Sequence, residues 1–105
     1  RGDEDLQWIV RPYNDQVSGS FSLYQNTPNP FNDYTDIQFT LPESNEAILS
    51  IYDVQGHLVK AIQGSYSAGN HVLKINTQDL NGSGVYYYEL VSGSYKAVKS
   101  MILIK

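Results

Sequence analysis

The strongest structural pattern in this chain is its closing stretch, Ser83-Gly-Val-Tyr-Tyr-Tyr-Glu-Leu-Val-Ser-Gly-Ser-Tyr-Lys-Ala-Val-Lys-Ser-Met-Ile-Leu-Ile-Lys105. Two runs rich in aromatic and β-branched residues flank a Ser92-Gly93-Ser94 turn, which is typical of a β-hairpin. Successive side chains of a strand point to opposite faces. The side chains expected to face a core are therefore Tyr86, Tyr88 and Leu90. Tyr87 and Glu89 are expected on the outer face.

The final residues of the chain are unusually apolar for a terminus. Met101-Ile102-Leu103-Ile104 precede a single closing Lys105. Most chain ends fray because little holds them, and an exposed apolar run of this kind would promote aggregation. We therefore expect the run to be buried, and the terminus to be central to both packing and function.

The composition limits the chain to one domain with a modest core. Of 105 residues, 41% are hydrophobic and 17% are charged, which fits a folded globular protein. Nine Tyr favour strands over helices. The net charge of -4 gives no basic patch for nucleic acid, and no apolar run approaches the roughly 18 residues of a membrane helix. Because Cys is absent, disulfides and thiolate metal sites are excluded.

Residues 1–20 differ in character from the remainder. A charged start is followed by Leu6-Gln-Trp-Ile-Val10, which has the composition of a short strand, and then by a turn-rich segment. We interpret the region as a linker or the tail of a preceding domain, in which Trp8 is expected to pack on something. A chain that begins at Arg1 without Met or a signal peptide is interpreted as a piece of a longer protein.

Short apolar runs separated by turn residues fill residues 21–105. The strands predicted in the central part are residues 36–41, 47–53, 57–62 and 71–75. Gly56 closes a tight hairpin turn, and the segment from Gly64 to Gly69 is expected to be a loop. With the segment after Phe21 and the terminal hairpin, the pattern gives about seven strands. It predicts an all-β fold, an antiparallel sandwich of the immunoglobulin-like or fibronectin type III-like kind.

A proline-rich element, Asn26-Thr-Pro-Asn-Pro-Phe-Asn32, precedes the central strands. Pro28 and Pro30 exclude both a helix and a central strand at this place and are expected to hold the chain extended. Phe31 is the residue expected to anchor the element in the core.

No constellation of catalytic side chains is visible. His57 follows a turn and is expected to be exposed, whereas His71 has the inward parity of its strand and is expected to be a hydrogen-bonded structural residue. Without Cys or a Ser/His/Asp spacing, the sequence offers no activated nucleophile. We predict a protein that is not an enzyme, with no catalytic residue and no cofactor.

Two binding alternatives stay open from the residues alone. Asp33, Asp36 and Asp79 offer oxygen ligands of the kind that calcium takes, although the dense alternation of a calcium loop is missing and no metal site is predicted. Tyr87 is expected to be exposed with Tyr95 near it across the hairpin, and such rings bind sugars on other β-sandwiches. A cross-strand aromatic pair is the ordinary explanation.

Several stretches, taken in order, resemble one family. The matching stretches are Leu23-Tyr-Gln-Asn-Thr-Pro-Asn-Pro-Phe-Asn32, Thr35-Asp-Ile-Gln-Phe-Thr-Leu41, Ile51-Tyr-Asp-Val-Gln-Gly-His-Leu-Val59, Ala68-Gly-Asn-His71, Leu80-Asn-Gly-Ser-Gly-Val-Tyr-Tyr-Tyr-Glu-Leu90 and Lys99-Ser-Met-Ile-Leu-Ile-Lys105. The family is the type A C-terminal sorting domain of proteins exported by the type IX secretion system of Bacteroidetes. The resemblance covers residues 21–105.

The resemblance implies a non-catalytic role in protein transport. Domains of this family direct a cargo protein from the periplasm through the outer-membrane translocon, typically with a barrel-type shuttle protein, to the cell surface or the medium. A signal peptidase of the sortase type usually removes the domain, which predicts cleavage within residues 10–22. The alternative is an Ig-like accessory module of a larger extracellular enzyme or adhesin that contacts carbohydrate or neighbouring domains. A dimer through sheet edges also stays open.

The resemblance and the apolar terminus together imply that the terminal hairpin is the recognition surface. The predicted contact residues are Gly84, Val85, Tyr86, Lys99, Met101, Ile102, Leu103, Ile104 and Lys105. The motif residues expected to have a structural role are Pro28, Asn29, Pro30, Phe31, Asn32, Gly56 and Gly69. The charges of Lys99 and Lys105 are expected to steer docking.

Overall fold

The computed structural model describes residues 20–104, which form seven strands. The strands are β1 Ser22–Leu23, β2 Tyr34–Leu41, β3 Asn45–Tyr52, β4 Leu58–Tyr66, β5 Gly69–Asn76, β6 Gly84–Ser92 and β7 Tyr95–Leu103, and a 3-10 turn at Thr77–Asp79 follows β5. The predicted strand at residues 6–10, with Trp8, and the terminal Lys105 lie outside the described residues. Within residues 20–104, no helix has the length and apolar character needed to cross a membrane.

The strands pair into two antiparallel sheets. Three strands follow the order β1-β2-β5, and four follow the order β4-β3-β6-β7. Strands β3 and β4 form one hairpin and β6 and β7 form another. The chain changes sheet between β2 and β3, between β4 and β5, and between β5 and β6. The prediction of an all-β, immunoglobulin-like antiparallel sandwich of about seven strands is confirmed.

The core lies between the inner faces of the two sheets. Its residues alternate along their strands: Ile37, Phe39 and Leu41 in β2, Ala47, Leu49 and Ile51 in β3, Tyr86, Tyr88 and Leu90 in β6, and Met101 and Leu103 in β7. This period of two is the one that the sequence shows, and the inward positions predicted for the β6 residues are confirmed. Burial of a large apolar side chain contributes about 1.5–3 kcal/mol, so this layer holds the sandwich together.

The turn between β3 and β4 is closed by a carboxylate. Asp53 Oδ1 accepts the backbone N–H groups of Gln55 and His57, each at 2.9 Å. Gly56 has a φ of 88°, in the left-handed region that favours glycine. The tight hairpin turn predicted at this place is therefore confirmed.

The predicted loop between β4 and β5 is wrong in its bounds. Gly64 lies inside β4 and Gly69 begins β5, so that only Ser67 and Ala68 connect the strands. Gly64 is accommodated in the strand because the ring of Tyr66 folds over it, with Tyr66 Oη 3.2 Å from the place of a Cβ. The absent side chain thus makes room for the ring. The sequence shows only a glycine within a strand and does not predict this contact.

The proline-rich element also differs from its prediction. The chain bends at residues 28–30, so the element is not extended there. The peptide bonds before Pro28 and Pro30 are cis. Phe31 is fully buried, which confirms its predicted role as an anchor.

Candidate functional site: the terminal hairpin and its latch

The C-terminal end of β7 is paired on its outer edge by the proline-rich element. Strand β7 is the last strand of the four-stranded sheet and pairs with β6 on its inner side. On the other side, the N–H of Phe31 donates to the carbonyl of Ile102 at 3.0 Å, and the N–H of Ile104 donates to the carbonyl of Phe31 at 2.8 Å. One buried residue therefore forms a short bridge to the end of the terminal strand.

Two side chains of the same element extend this pairing. Asn29 Oδ1 accepts the N–H of Ile102 at 2.9 Å, and Gln25 Nε2 donates to the carbonyl of Ser100 at 2.6 Å. An edge strand whose N–H and carbonyl groups are free is a template for pairing with another chain. We call residues 25–31 the latch, because they occupy those groups at the end of β7.

A buried polar network fixes the latch to the core. Asn26 Nδ2 donates to Thr35 Oγ1 at 3.0 Å, and Thr35 Oγ1 donates to the carbonyl of Pro28 at 2.8 Å. Tyr88 Oη accepts the N–H of Asn26 at 2.9 Å and donates to the carbonyl of Tyr24 at 2.8 Å. Asn26 and Thr35 are buried, and their mutual bonds satisfy polar groups that would otherwise lose their hydrogen bonds to water.

The phenol of Tyr88 is the link between this network and β6. Burial raises the pKa of Tyr88 to about 12, although the hydrogen bond from Asn26 acts in the opposite direction. The hydroxyl is therefore protonated at neutral pH and donates a hydrogen bond to the carbonyl of Tyr24, the residue directly before the latch.

The apolar terminus is buried on one side only. Met101 and Leu103 are 0% and 1% exposed, whereas Ile102 is 40% and Ile104 is 53% exposed. The prediction that the whole run is buried is therefore wrong for Ile102 and Ile104. The cause is the pleat of the strand, since a second sheet covers one face of β7 and only alternate side chains reach it.

The exposed side of the terminal strand continues onto β6. Val85 lies opposite Ile102 in the register of the hairpin, and both point away from the core because their neighbours Tyr86 and Met101 are buried. A pair of branched apolar side chains therefore stands on the outer face of the sheet, close to the end of the chain.

The latch and both strands of the hairpin lie within a region shared with known proteins. The family model described as "Secretion system C-terminal sorting domain" matches residues 25–105, from the first residue of the latch to the end of the chain. The chain belongs to this family. It is a C-terminal sorting domain for type IX secretion. Comparison with curated proteins gives no match.

The motif residues of the sorting domain have distinct places in the structure. Asn29 and Phe31 form hydrogen bonds with β7, and the carbonyl of Pro28 accepts a hydrogen bond from Thr35 in the buried network. Pro30 and Asn32 flank Phe31 and are exposed. Gly56 lies in the turn between β3 and β4 and Gly69 begins β5, with φ values of 88° and 115° that other residues rarely adopt.

The predicted contact residues of the sorting domain fall on different sides of the hairpin. Those that face the core are Tyr86, Met101 and Leu103, and those that face solvent are Val85, Ile102 and Ile104. Tyr86 is further tied to the fold, since its Oη donates to the carbonyl of Gly82 at 2.6 Å. Gly84 is exposed at the start of β6, Lys99 is half-buried opposite Tyr88, and Lys105 lies outside the described residues.

Sequence reasoning missed Tyr52 and Leu58, two residues on the outer face of the sheet beside the hairpin. Tyr52 in β3 lies between Leu58 of β4 and Tyr87 of β6 in the sheet register. Leu58 is 57% and Tyr87 is 43% exposed. Alternation along each strand was a usable signal for outward placement. The proximity of β4 to the hairpin depends on the strand order of the sheet, which no local pattern carries.

The two histidines of the sorting domain lie in different surroundings. His57 is exposed as predicted, with Nδ1 3.5 Å from Asp53 Oδ2, and the hydrogen bond from the His57 N–H lowers the pKa of Asp53. His71 packs against Tyr66, and its Nε2 lies 2.8 Å from the carbonyl of Ser67. Its predicted structural, hydrogen-bonded role is confirmed.

The carboxylates considered as calcium ligands, Asp33, Asp36 and Asp79, do not form a cluster in the described residues. Asp79 Oδ1 lies 3.4 Å from Lys60 Nζ, an ion pair between the 3-10 turn and β4. Across the described part of the chain, no three His, Asp or Glu side chains converge in a way that would hold a metal ion.

The two tyrosines considered for sugar binding lie apart. Tyr87 is opposite Ser100 and Tyr95 is opposite Ser92, so the expected proximity of Tyr95 to Tyr87 is wrong. Tyr95 instead stacks on Phe21, with ring centroids 5.1 Å apart and an angle of 13° between the planes. These two rings therefore do not form a common platform for a sugar.

Proposed function

We propose that the β6–β7 hairpin is the part of this sorting domain that the outer-membrane translocon of type IX secretion and its shuttle protein contact. The observation that carries the proposal is the exposed side of the terminal strand. Val85 and Ile102 stand side by side in solvent although each would gain from burial. A partner that covers them accounts for their position.

The direction of the chain supports this assignment. Strand β1 pairs with the end of β2 at Thr40, and Phe21 stacks on Tyr95 at the start of β7. Ile104 lies at the other end of the same strand. A cargo joined before Ser20 is therefore attached away from the terminal end of the hairpin and leaves that end accessible.

The proposal extends to the steps before and after recognition. Residues 1–20 serve as the linker upstream of a domain that comprises residues 21–105, and a sortase-type signal peptidase cleaves within residues 10–22. The exported protein passes through the periplasm to the outer-membrane surface or the medium, and the domain itself catalyses no step and needs no cofactor. The family assignment supports these points. N-terminal sequencing of the domain after its release from the cargo tests whether cleavage falls within residues 10–22, and a cleavage site elsewhere would refute this prediction.

Ile102→Ser and Val72→Ser provide a matched test of the recognition surface. Both residues are exposed in outer faces, Val72 at 58% on β5 of the other sheet, so neither change empties the core. We expect a reporter cargo fused to the Ile102→Ser domain to accumulate in the periplasm, while the Val72→Ser fusion is exported. Normal export of a folded Ile102→Ser variant would contradict the proposal. Thermal melts of both purified domains control for folding.

The dimer through sheet edges is also a proposal. Strands β4 and β5 are the outer strands on the side of the sandwich away from the latch, which makes them the candidate edges. Sedimentation over a range of concentrations tests the idea, and a monomer throughout would refute it.

A further inference from the structure

The outer face of the four-stranded sheet changes character along its length. From its middle toward the β6–β7 turn, the outward positions combine the charged residues Glu46, Glu89 and Lys96 with the apolar residues Ile48, Val91 and Val98, and Lys96 Nζ lies 3.5 Å from Glu89 Oε2. Toward the C-terminal end of β7, the outward residues that the structure describes are uncharged. The outward residues of that half are Tyr52, Leu58, Val85, Tyr87, Ser100 and Ile102, which we call the terminal face.

The terminal face is continuous across all four strands. Leu58, Tyr52, Tyr87 and Ser100 follow one another from β4 to β7 in the sheet register. Val85 and Ile102 form the next cross-strand pair along the hairpin. Directly opposed side chains in such a ladder have Cβ atoms about 4.5–5.5 Å apart. The six residues therefore form one patch rather than scattered exposed side chains.

We propose that the terminal face docks against an uncharged surface of apolar and aromatic side chains on a protein of the export machinery. The contact is made through side chains and not through strand addition, and it reaches from the hairpin onto β3 and β4. This inference rests on the function proposed above and deepens it, because it adds Tyr52 and Leu58 to the surface and specifies how the partner binds.

The latch argues against strand addition at the end of β7. A pairing strand needs free N–H and carbonyl groups along an edge. At Ile102 both of these groups are bonded to the latch, and the carbonyl of Ser100 and the N–H of Ile104 are bonded to it as well. Earlier on the same edge lies Lys96, a charged residue of the type that discourages pairing. What the terminal half of the hairpin offers a partner is its side chains.

The size and charge of the patch argue for a different protein rather than a second copy. At about 3.3 Å per residue and about 4.8 Å between strands, the backbone positions of the terminal face span roughly 14 Å across the sheet and roughly 7 Å along it, a footprint far below the ~800 Å² that each partner buries in a standard stable interface. The chain also carries a net charge of -4, which opposes a second copy on this face, where no backbone hydrogen bonds of the kind an edge-to-edge dimer forms would offset the repulsion. A transient contact with an uncharged partner surface fits both facts.

Leu58 supplies the decisive variant because it lies in β4, outside the hairpin. Leu58→Ser, Tyr87→Ser and Ile102→Ser are compared with Val98→Ser, an exposed residue of the same sheet next to Glu89 in the charged part of the face. Each is introduced into the complete chain fused to a reporter cargo, and exported and periplasmic cargo are measured. Loss of one central apolar contact reduces binding about fivefold or more, so we expect that fall in exported cargo for the three face variants and none for Val98→Ser.

The outcomes separate this inference from the proposed function. If Ile102→Ser blocks export while Leu58→Ser and Tyr87→Ser do not, the hairpin is recognised but the wider face is not, and the inference falls. If none of the three matters, both proposals fall. If the wild-type domain sediments as a dimer that both Leu58→Ser and Ile102→Ser dissociate, a second copy occupies the face and the inference is overturned. Leu58→Thr, which introduces a β-branched side chain suited to a strand, replaces Leu58→Ser if the melt of Leu58→Ser shows unfolding.

Discussion

The side-chain Oδ1 of Asn29 accepts the backbone N–H of Ile102 at 2.9 Å, across a separation of 73 residues in the chain. The same Ile102 directs its side chain to solvent on the outer face of the sheet. The latch thus holds the backbone of the terminal strand while leaving its outer side chains accessible. If the hairpin is the recognition surface, as proposed, stability and display of the sorting signal are coupled at this one residue.

Asn29→Ala is expected to lower the free energy of unfolding by about 0.5–1.5 kcal/mol, the net value of a typical hydrogen bond. The loss is moderate because the bond lies near the surface and water replaces the missing acceptor in part. Urea unfolding of the purified domain measures it. Asn32→Ala changes an exposed asparagine of the same element and is expected to stay within about 0.5 kcal/mol of the wild type. Equal losses in both variants would show that the Asn29 contact contributes nothing.

Tyr88→Phe is expected to cost about 1–3 kcal/mol, since it leaves the N–H of Asn26 and the carbonyl of Tyr24 without their partner. The aromatic ring remains, so the core keeps its packing. Tyr87→Phe removes the hydroxyl of an exposed neighbour on the same strand and serves as the control. Chemical unfolding of the two variants side by side gives the difference. A Tyr88→Phe domain as stable as the control would mean that water enters the network.

The pH dependence of stability follows from the same phenol. The pKa of Tyr88 is raised from 10.0 to about 12 in the folded domain. Below pH 10 the phenol is protonated in both states and its contribution is complete. Between pH 10 and pH 12 the unfolded chain gives up the proton first, so stability falls as pH rises. We expect the stability difference between wild type and Tyr88→Phe to shrink over this window. A constant difference across the window would contradict the assignment.

The sequence predicted the parts of the hairpin that depend on local alternation. Tyr86, Tyr88 and Leu90 face the core because a strand has a period of two, and that period is visible in the chain. The same period divides the terminal apolar run, so that Ile102 and Ile104 face away from the buried Met101 and Leu103, and composition alone wrongly predicts burial of all four. Composition indicates how much a run gains by burial. It does not indicate which faces of a strand another sheet covers.

Local alternation of this kind does not predict the latch. Its bonds join Gln25 and Asn29 to residues of β7 that lie more than 70 positions away, through side chains that any exposed loop contains. The buried network of Asn26 and Thr35 is of the same kind, because satisfaction of a polar group depends on the three-dimensional arrangement around it. The resemblance to a family marked the proline-rich element as important, and the structure shows what it contacts.

Met101→Ala and Ile102→Ala separate the scaffold from the signal within two adjacent residues. Met101 is fully buried, and its truncation is expected to cost about 2–5 kcal/mol, a large part of the roughly 5–15 kcal/mol that stabilises a small domain. Ile102 faces solvent, and its truncation is expected to cost less than about 1 kcal/mol. Thermal melts of the purified domains give the two stabilities, and export of a fused cargo gives the two signals. We expect Ile102→Ala to export poorly although it is folded. If Ile102→Ala exports normally and only Met101→Ala fails, the terminal strand contributes to export solely by completing the core.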